Sequence, residues 1–302
     1  IHFDNVHYGL IENVAIRNFR NWGISFDQDD VNYNASTYNK VINSLFTGIE
    51  NEAIYLDASN YNLVQGNSII NSGSVGVRLH NGAVENIVRD NYIYNMAGGV
   101  GILIFGNSDR NIIKGNIIAS TTGNGISSNG DTATNDYNNI AGNTIKSAGL
   151  VGIALGNTEY ALVSGNTILS AGQDGIWLGG TTGSNNNQVV NNHITDSSQS
   201  ANNTYDNIRI GKGSNNKISG NYLRYVGSSP DPRYAINIED TTASTTGNTI
   251  SENDVYQGGI QAVPVNNSGP NNIIFNMNQS GSFGFGTVNP TSLWELSAAT
   301  TS

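Results

Sequence analysis

The sequence predicts an all-β solenoid of about ten coils, in which short parallel strands stack on one another. Two short sequence motifs, here called phrases, recur along the chain at a nearly fixed spacing. The first is a three-residue alternation, and its copies begin at Ile24, Ile54, Val77, Ile102, Ile126, Ile153, Ile176, Ile208, Ile236 and, more weakly, Ile260. The second has the form N-x-I, and its copies begin at Asn13, Asn43, Asn67, Asn91, Asn116, Asn143, Asn166, Asn192, Asn221 and Asn253, with Asn276 as a candidate eleventh. A period of 23 residues, as from Ile54 to Val77, indicates stacked supersecondary units.

Both phrases predict strands rather than helices, because they are short, alternate with a period of two and are bounded by Gly and Asn. Gly and Asn adopt the positive φ that sharp turns require. Stacked parallel strands bury the same positions in every coil, which explains why the apolar positions repeat. We expect the recurrent Asn of the second phrase to stack on its copy one coil away, amide against amide.

These paired phrases resemble the right-handed parallel β-helix of the pectate-lyase-like superfamily, including the repeats of periplasmic copper-maturation proteins and mannuronan epimerases. The resemblance covers roughly residues 5–265 and implies right-handed coils. It implies no single activity, since this fold is shared by lyases, hydrolases, epimerases and adhesins. We therefore predict a right-handed parallel β-helix at residues 1–265 and an appendage at 266–302, packed on the last coil or on a partner chain.

The coils differ in regularity along the chain. Residues 1–22 form the first coil, and no amphipathic helix is available to cap it. We interpret its abrupt start as a processed product or an excised fragment. Coils from 39 to 190 are regular, whereas residues 27–38, 197–206 and 226–234 are insertions.

Composition restricts the partners. The chain has 302 residues, a formal net charge of −10 and no cysteine. The acidic balance argues against a nucleic-acid partner, whose phosphates need a basic face, and the lack of cysteine excludes disulfides and thiolate metal sites. No apolar run approaches the length of a membrane span. We predict an extracellular or surface-associated protein, secreted or part of a virion, whose partner is a polysaccharide.

The outward positions of the first phrase supply a candidate catalytic site. If Ile and Leu point inward, the residues between and after them point outward, and stacked strands lie about 4.8 Å apart. The reactive side chains gathered in this way are Asp27, Tyr55, Asp57, Arg78 and His80. The mannuronan-epimerase-like family uses Tyr, Asp, His and Arg on adjacent coils, although its contiguous tyrosine-to-histidine motif is absent here.

Three interpretations of this cluster stay open. In a uronan-type site, Arg78 neutralises the sugar carboxylate, His80 oriented by Asp57 is the base, and Tyr55 is the acid. In a retaining glycosidase, Asp27 and Asp57 are the two carboxylates, about 5 Å apart. In the third, the charges form an ordinary cross-strand ion pair without catalysis. The acidic run at 27–30 also offers oxygen ligands for calcium.

Substrate binding is predicted further along the same column, at Trp177, Arg209 and Glu239. An exposed indole offers a flat apolar face for a sugar ring, and the alternative is a packing residue under a loop. Asp174 is predicted to form the turn before its strand.

A non-catalytic fibre, tail-spike or adhesin subunit is the alternative function. Residues 281–296 resemble a short element of phage tail fibres, and Leu293, Trp294 and Leu296 would be costly to expose there. An uncapped coil also presents unpaired backbone groups. This interpretation predicts self-association into a trimer or a fibre.

Overall fold

The structure, a computed structural model, describes residues 1–28, 34–130, 134–226, 230–239, 245–256, 265–275, 277–279 and 282–283. It is a right-handed parallel β-solenoid of about ten turns, and the described residues contain no helix. The predicted fold class is therefore confirmed. Among these residues there is accordingly no helix that could cross a membrane.

Each coil contributes one strand to each of three parallel sheets. The strands of the first sheet are His2–Asp4, Ile24–Asp27, Ile54–Asp57, Val77–His80, Ile102–Phe105, Ile126–Asn129, Ile153–Gly156, Ile176–Gly179, Ile208–Ile210, Ile236–Ile238 and Val265–Asn267. Those of the second sheet are Leu10–Glu12, Lys40–Ile42, Leu63–Gln65, Ile87–Arg89, Ile112–Lys114, Asn139–Ala141, Leu162–Ser164, Gln188–Val190, Lys217–Ser219, Thr249–Ser251 and Ile273–Phe275. Those of the third sheet are Ala15–Arg17, Leu45–Thr47, Ser68–Ile70, Tyr92–Met96, Ile117–Thr121, Thr144–Ala148, Thr167–Leu169, His193–Thr195, Tyr222–Arg224, Asp254–Tyr256, Asn278–Gln279 and Ser282–Phe283, the last pair antiparallel. A short separate pair joins Asn135–Asp136 to Thr158–Glu159.

Equivalent positions stack because neighbouring strands pair without slippage. Ile54 lies opposite Val77 and Leu56 opposite Leu79, and all four side chains are fully buried. The residue before the apolar alternation is small for a steric reason. A Cβ at Gly76 would lie 2.6 Å from the carbonyl oxygen of the next coil's glycine. The core is thus a narrow central column, which leaves the outward faces of the sheets available for function.

Two asparagine ladders run along the axis beside this core. The predicted one comprises Asn67, Asn91, Asn116, Asn143, Asn166, Asn192, Asn221 and Asn253. Its start was wrongly predicted: Ser44 occupies the ladder position of its coil, and Asn43, with φ 50°, lies one residue earlier in the turn. A second, unpredicted ladder precedes the second sheet and includes Asn62, Asn86 and Asn111. Met277 follows Asn253 in the first ladder, and Asn276 is outside the described residues.

Removal of one ladder amide should be strongly destabilising. The Asn143 side chain accepts hydrogen bonds from the backbone N–H and the side-chain amide of Asn116, and it donates to the carbonyl oxygen of Ile113. Asn143→Ala leaves these buried groups unsatisfied, so the free energy of unfolding should fall by about 3 kcal/mol. Urea unfolding followed by circular dichroism measures this change. Asn51→Ala is the matched control, because it removes an exposed amide–amide bond and should cost less than about 0.5 kcal/mol.

The strands Val265–Asn267, Ile273–Phe275 and Asn278–Gln279 still pair in parallel with the coil before them. The alternation predicted at Ile260 and the residues from 284 onward, including Leu293, Trp294 and Leu296, lie outside the described residues. The division at residue 265, the appendage and its self-association therefore stay predictions.

Candidate functional site

The outward face of the first sheet carries two polar regions separated by the outward residues of three coils. We name the first the tyrosine–histidine cluster, which comprises Tyr55, Asp57, Arg78 and His80. We name the second the tryptophan cavity, which surrounds Trp177. Several outward residues of this sheet are nevertheless covered by their neighbours, since Ser25 is fully buried and Asn237 is only 1% exposed.

The tyrosine–histidine cluster is positioned by two adjacent strands, which pair Tyr55 with Arg78 and Asp57 with His80. The Tyr55 hydroxyl lies 2.8 Å from Nδ1 of His80, and the same Nδ1 lies 3.0 Å from Oδ1 of Asp57. A neutral imidazole that donates from Nδ1 to the carboxylate carries its lone pair on Nε2. Within the described residues Nε2 has no hydrogen-bond partner. His80 is therefore oriented by Asp57 through Nδ1, and its role as the base stays a prediction.

The pKa values of Tyr55 and Asp57 are shifted in opposite directions. Burial and the nearby Asp57 carboxylate raise the pKa of Tyr55 well above its ordinary value, so the phenol keeps its proton. Burial alone would raise the pKa of Asp57, but hydrogen bonds with His80 and Tyr55 outweigh it and hold that pKa below its ordinary value. An ionised carboxylate thus stands beside a protonated phenol.

The guanidinium of Arg78 already contacts a carboxylate of the protein, because Nη1 donates to Oε1 of Glu52 over 3.0 Å. The other carboxylate oxygen of Glu52 accepts from Nε1 of Trp22, also over 3.0 Å. The Nε atom of Arg78 is buried and has no partner in the described part of the chain. In the described part of the chain Nη2 of Arg78 has no hydrogen bond and can serve a ligand, although Glu52 offsets part of the charge.

Aromatic rings enclose the cluster. Trp22 stacks on Tyr55 with ring centroids 5.4 Å apart, and Phe105 stacks on His80 at 5.5 Å. Sequence reasoning missed Trp22, Glu52 and Phe105. The signal for the first two was positional, since both occur two residues before the apolar alternation, in the turn that leads into the first sheet.

Asp27 lies one coil before Tyr55 and Asp57, and burial together with Asp57 raises its pKa. It is 3.8 Å from His2, which also contacts Asp4. These three residues are the one group within the described ranges with His, Asp or Glu ligand atoms close enough to share a metal ion. Asp29 and Asp30, the other predicted calcium ligands, lie outside the described residues, so calcium binding stays a prediction.

The tryptophan cavity has a volume of about 430 Å³. Its lining residues are Asn124, Ser127, Asn129, Val151, Ala154, Gly156, Gln173, Asp174, Trp177 and Arg209. Glycines hold the indole flat against the sheet: a Cβ at Gly179 would lie 2.2 Å from Cζ2 of Trp177, and one at Gly211 would lie 3.1 Å from Nε1. Trp177 therefore lies close against these glycines and is one of the residues that line the cavity.

A network of ionic side chains forms one end of this cavity. Arg209 donates to Glu239 from Nε over 3.0 Å and from Nη2 over 2.6 Å, and its Nη1 lies 3.7 Å from Asp174. Arg233 contacts both Asp206 and Glu239. The predicted residues Trp177, Arg209 and Glu239 are thus brought together, but the guanidinium of Arg209 is committed to carboxylates of the protein.

Asp174 was predicted only as a turn residue, and it does precede the strand Ile176–Gly179. Its side chain is nevertheless buried, accepting from the backbone N–H of Asp206 at 2.8 Å. Burial is the main cause that raises the pKa of Asp174 to about 7, with Asp206 adding to the effect. Sequence alone gave no sign of this burial, because it depends on contacts with residues of another coil, such as Asp206 and Arg209.

Asp174 should make stability depend on pH. The unfolded carboxyl ionises near pH 4, whereas the folded one keeps its proton until about pH 7. Its stabilising contribution is therefore fully present below about pH 4 and is lost as the pH rises to about 7. Asp174→Asn removes this loss and keeps an oxygen for the Asp206 N–H. Relative to wild type, its free energy of unfolding should rise by about 2–4 kcal/mol between pH 4 and pH 8.

Urea unfolding of both proteins across this pH range measures the effect. Asp90→Asn, at an exposed turn position, is the control and should leave the pH dependence unchanged. Parallel curves for wild type and Asp174→Asn would contradict the assignment.

Comparisons with known proteins agree with the fold. Residues 1–139 match the family model described as a right handed beta helix region, and residues 86–207 match that of the periplasmic copper-binding protein NosD. A search of curated proteins finds no match. The predicted resemblance to right-handed β-helix proteins is thereby confirmed.

Three solved structures illustrate the likeness. The mannuronan C-5 epimerase A-module of Azotobacter vinelandii has a TM-score of 0.65 at 13% identity, covering 93% of this chain and 84% of its own. The DFA-IIIase of Arthrobacter chlorophenolicus A6, in complex with GF2, has a TM-score of 0.62 at 15% identity, covering 90% and 79%. The alginate lyase of Paenibacillus sp. strain FPU-7 has a TM-score of 0.60 at 15% identity, covering 92% and 99%. At these identities the likeness concerns the fold alone.

Proposed function

We propose that the protein modifies a uronate-containing polysaccharide by removing the proton beside the sugar carboxylate, and that this happens at the tyrosine–histidine cluster. The observation that carries the proposal is the convergence of the Tyr55 hydroxyl and the Asp57 carboxylate on Nδ1 of His80, at 2.8 and 3.0 Å. This arrangement leaves Nε2 of His80 to face a substrate. A simple surface ion pair would not require a buried phenol as the third member.

Each residue then has one role. Arg78 binds the sugar carboxylate and so stabilises the negative charge that develops when the adjacent carbon loses its proton. Nε2 of His80 takes that proton, and Asp57 stabilises the resulting imidazolium. Tyr55 supplies a proton either to the opposite face of the carbanion, which gives epimerisation, or to the departing glycosidic oxygen, which gives elimination. No outside oxidant or reductant is needed for either outcome.

The named relatives support this class of substrate, because one is a mannuronan epimerase and another an alginate lyase. The description of the NosD family model and the name of a similar solved structure, the periplasmic alginate epimerase AlgG, both contain the word periplasmic. We accordingly place the protein in the periplasm or outside the cell, where a polysaccharide would be met.

Proton exchange tests the proposal without knowledge of the product. Polymannuronate, polyguluronate and polygalacturonate are incubated with the protein in D₂O, and deuterium at the carbon that bears the carboxylate is measured by NMR. In at least one polymer we expect deuterium at this carbon if the carbanion is reprotonated, or an unsaturated end without hydrogen at this carbon if the glycosidic oxygen departs. Ultraviolet absorbance of unsaturated ends then identifies elimination, and a change in sugar configuration identifies epimerisation. New reducing ends without exchange or unsaturation would instead indicate a hydrolase, and the absence of any reaction would contradict the proposal.

A further inference from the structure

We propose that the tryptophan cavity binds a neutral sugar unit, so that the substrate is a heteropolysaccharide containing both uronate and neutral sugars. The statement about the substrate rests on the proposed function, whereas the cavity is argued from its own geometry. Trp177 supplies an aromatic surface in this cavity. The indole of Trp177 lies against Gly179 and Gly211 and lines a cavity of about 430 Å³, and a large aromatic surface in such a cavity suits the apolar face of a sugar ring.

The polar lining suits hydroxyl groups. Ser127 and Asn129 face the cavity, and neither side chain has a hydrogen bond to the described part of the chain. Gln173 makes only a long contact with the hydroxyl of Tyr205, at 3.3 Å. Hydroxyl and amide groups both donate and accept, as the hydroxyls of a sugar do.

The charges disfavour a sugar carboxylate. The ionic network counts three carboxyl groups, at Asp174, Asp206 and Glu239, against two guanidinium groups, at Arg209 and Arg233. Arg209 is the one cation among the lining residues, and it already contacts Glu239 and Asp174. A uronate placed here would therefore meet no uncommitted cation and would add a negative charge to a balanced or acidic site.

The two regions can be reached by one polymer. Four steps between paired strands separate Val77–His80 from Ile176–Gly179, which is about 19 Å along the axis at 4.8 Å per step. Between them the outward residues are Leu103 and Phe105, then Ser127 and Asn129, then Ala154 and Gly156, so the floor is apolar beside His80 and carries smaller side chains towards Trp177. A chain lying along the sheet would thus place different sugars at His80 and at Trp177.

Calorimetric titration tests the inference. The probes are β-1,4-linked glucose, mannose and galactose tetrasaccharides, and mannuronate and guluronate tetrasaccharides. We expect at least one neutral tetrasaccharide to bind wild type, with an affinity reduced at least 10-fold by Trp177→Ala and only partly reduced by Trp177→Phe. Gly179→Ala should also weaken binding, because it displaces the indole without removing it.

Controls separate this inference from the proposed function. Neutral-sugar affinity and proton exchange are measured separately on the wild-type protein, and His193→Gln, on the third sheet, should leave both unchanged. Binding of uronate oligomers alone at Trp177, binding insensitive to Trp177→Ala, or no binding of any neutral probe would each overturn the inference. Those results would not bear on proton exchange at His80.

Discussion

His80→Gln should lower the rate of deuterium exchange into a uronan substrate by about 10²–10⁴-fold, the range that a general base contributes. Glutamine retains a polar amide that can face Asp57 and Tyr55, but it cannot take up the substrate proton. The KM should change much less than kcat, because the proposed mechanism places His80 at the reacting carbon rather than at the sugar carboxylate. Rates are measured by NMR in D₂O at saturating and at limiting substrate.

The matched control is His193→Gln. His193 is exposed on the third sheet and has an aromatic contact with Tyr222, away from the first sheet. The His193→Gln variant should catalyse deuterium exchange at the wild-type rate. Circular dichroism and thermal unfolding confirm that both variants are folded. A His80→Gln variant that is folded and retains more than about one tenth of the wild-type rate would remove His80 as the base.

Arg78→Gln should lower kcat/KM by about 10²–10³-fold, since it removes the cation that stabilises charge developing on the sugar carboxylate. The same change leaves the carboxylate of Glu52, whose side chain is 9% exposed, without its cation. The free energy of unfolding should therefore fall by about 3 kcal/mol. One substitution thus changes catalysis and stability together, and the two effects need to be separated.

The double variant Glu52→Gln/Arg78→Gln separates them. Two neutral amides can hydrogen-bond at this position, so the free energy of unfolding should return to within about 1 kcal/mol of wild type. Activity should remain as low as in Arg78→Gln. Arg89→Gln, which loses an exposed hydrogen bond on the second sheet, is the control for both measurements. Recovery of activity in the double variant would show that Arg78 acts only through the fold.

The fold was predictable because every coil repeats one physical requirement. Ile54 and Leu56 recur at the same spacing as the inward positions of a stacked strand, and Asn67 recurs where a buried amide completes the hydrogen bonds of a turn. The error at Asn43 arose because Gly and Asn both tolerate positive φ, so the turn column and the ladder column look alike in sequence.

The candidate site was predictable only where it lies within the repeat. Asp57 and His80 occupy equivalent outward positions one coil apart, so their contact followed from the period. The pairing of Arg78 with Glu52 did not, since Glu52 reaches the sheet from a turn outside the alternation. The burial of Asp174 depends on side chains of several coils, and no local pattern encodes it.

The most direct test of the central claim is the crystal structure of the His80→Gln variant bound to a uronate oligosaccharide. We predict a sugar on the outward face of the first sheet, with its carboxylate against Arg78 and the carbon that bears this carboxylate facing residue 80. We also predict the Tyr55 hydroxyl within hydrogen-bond distance of the same ring or its glycosidic oxygen. A sugar bound on the second or third sheet, or one whose carboxylate faces away from Arg78, would contradict the account.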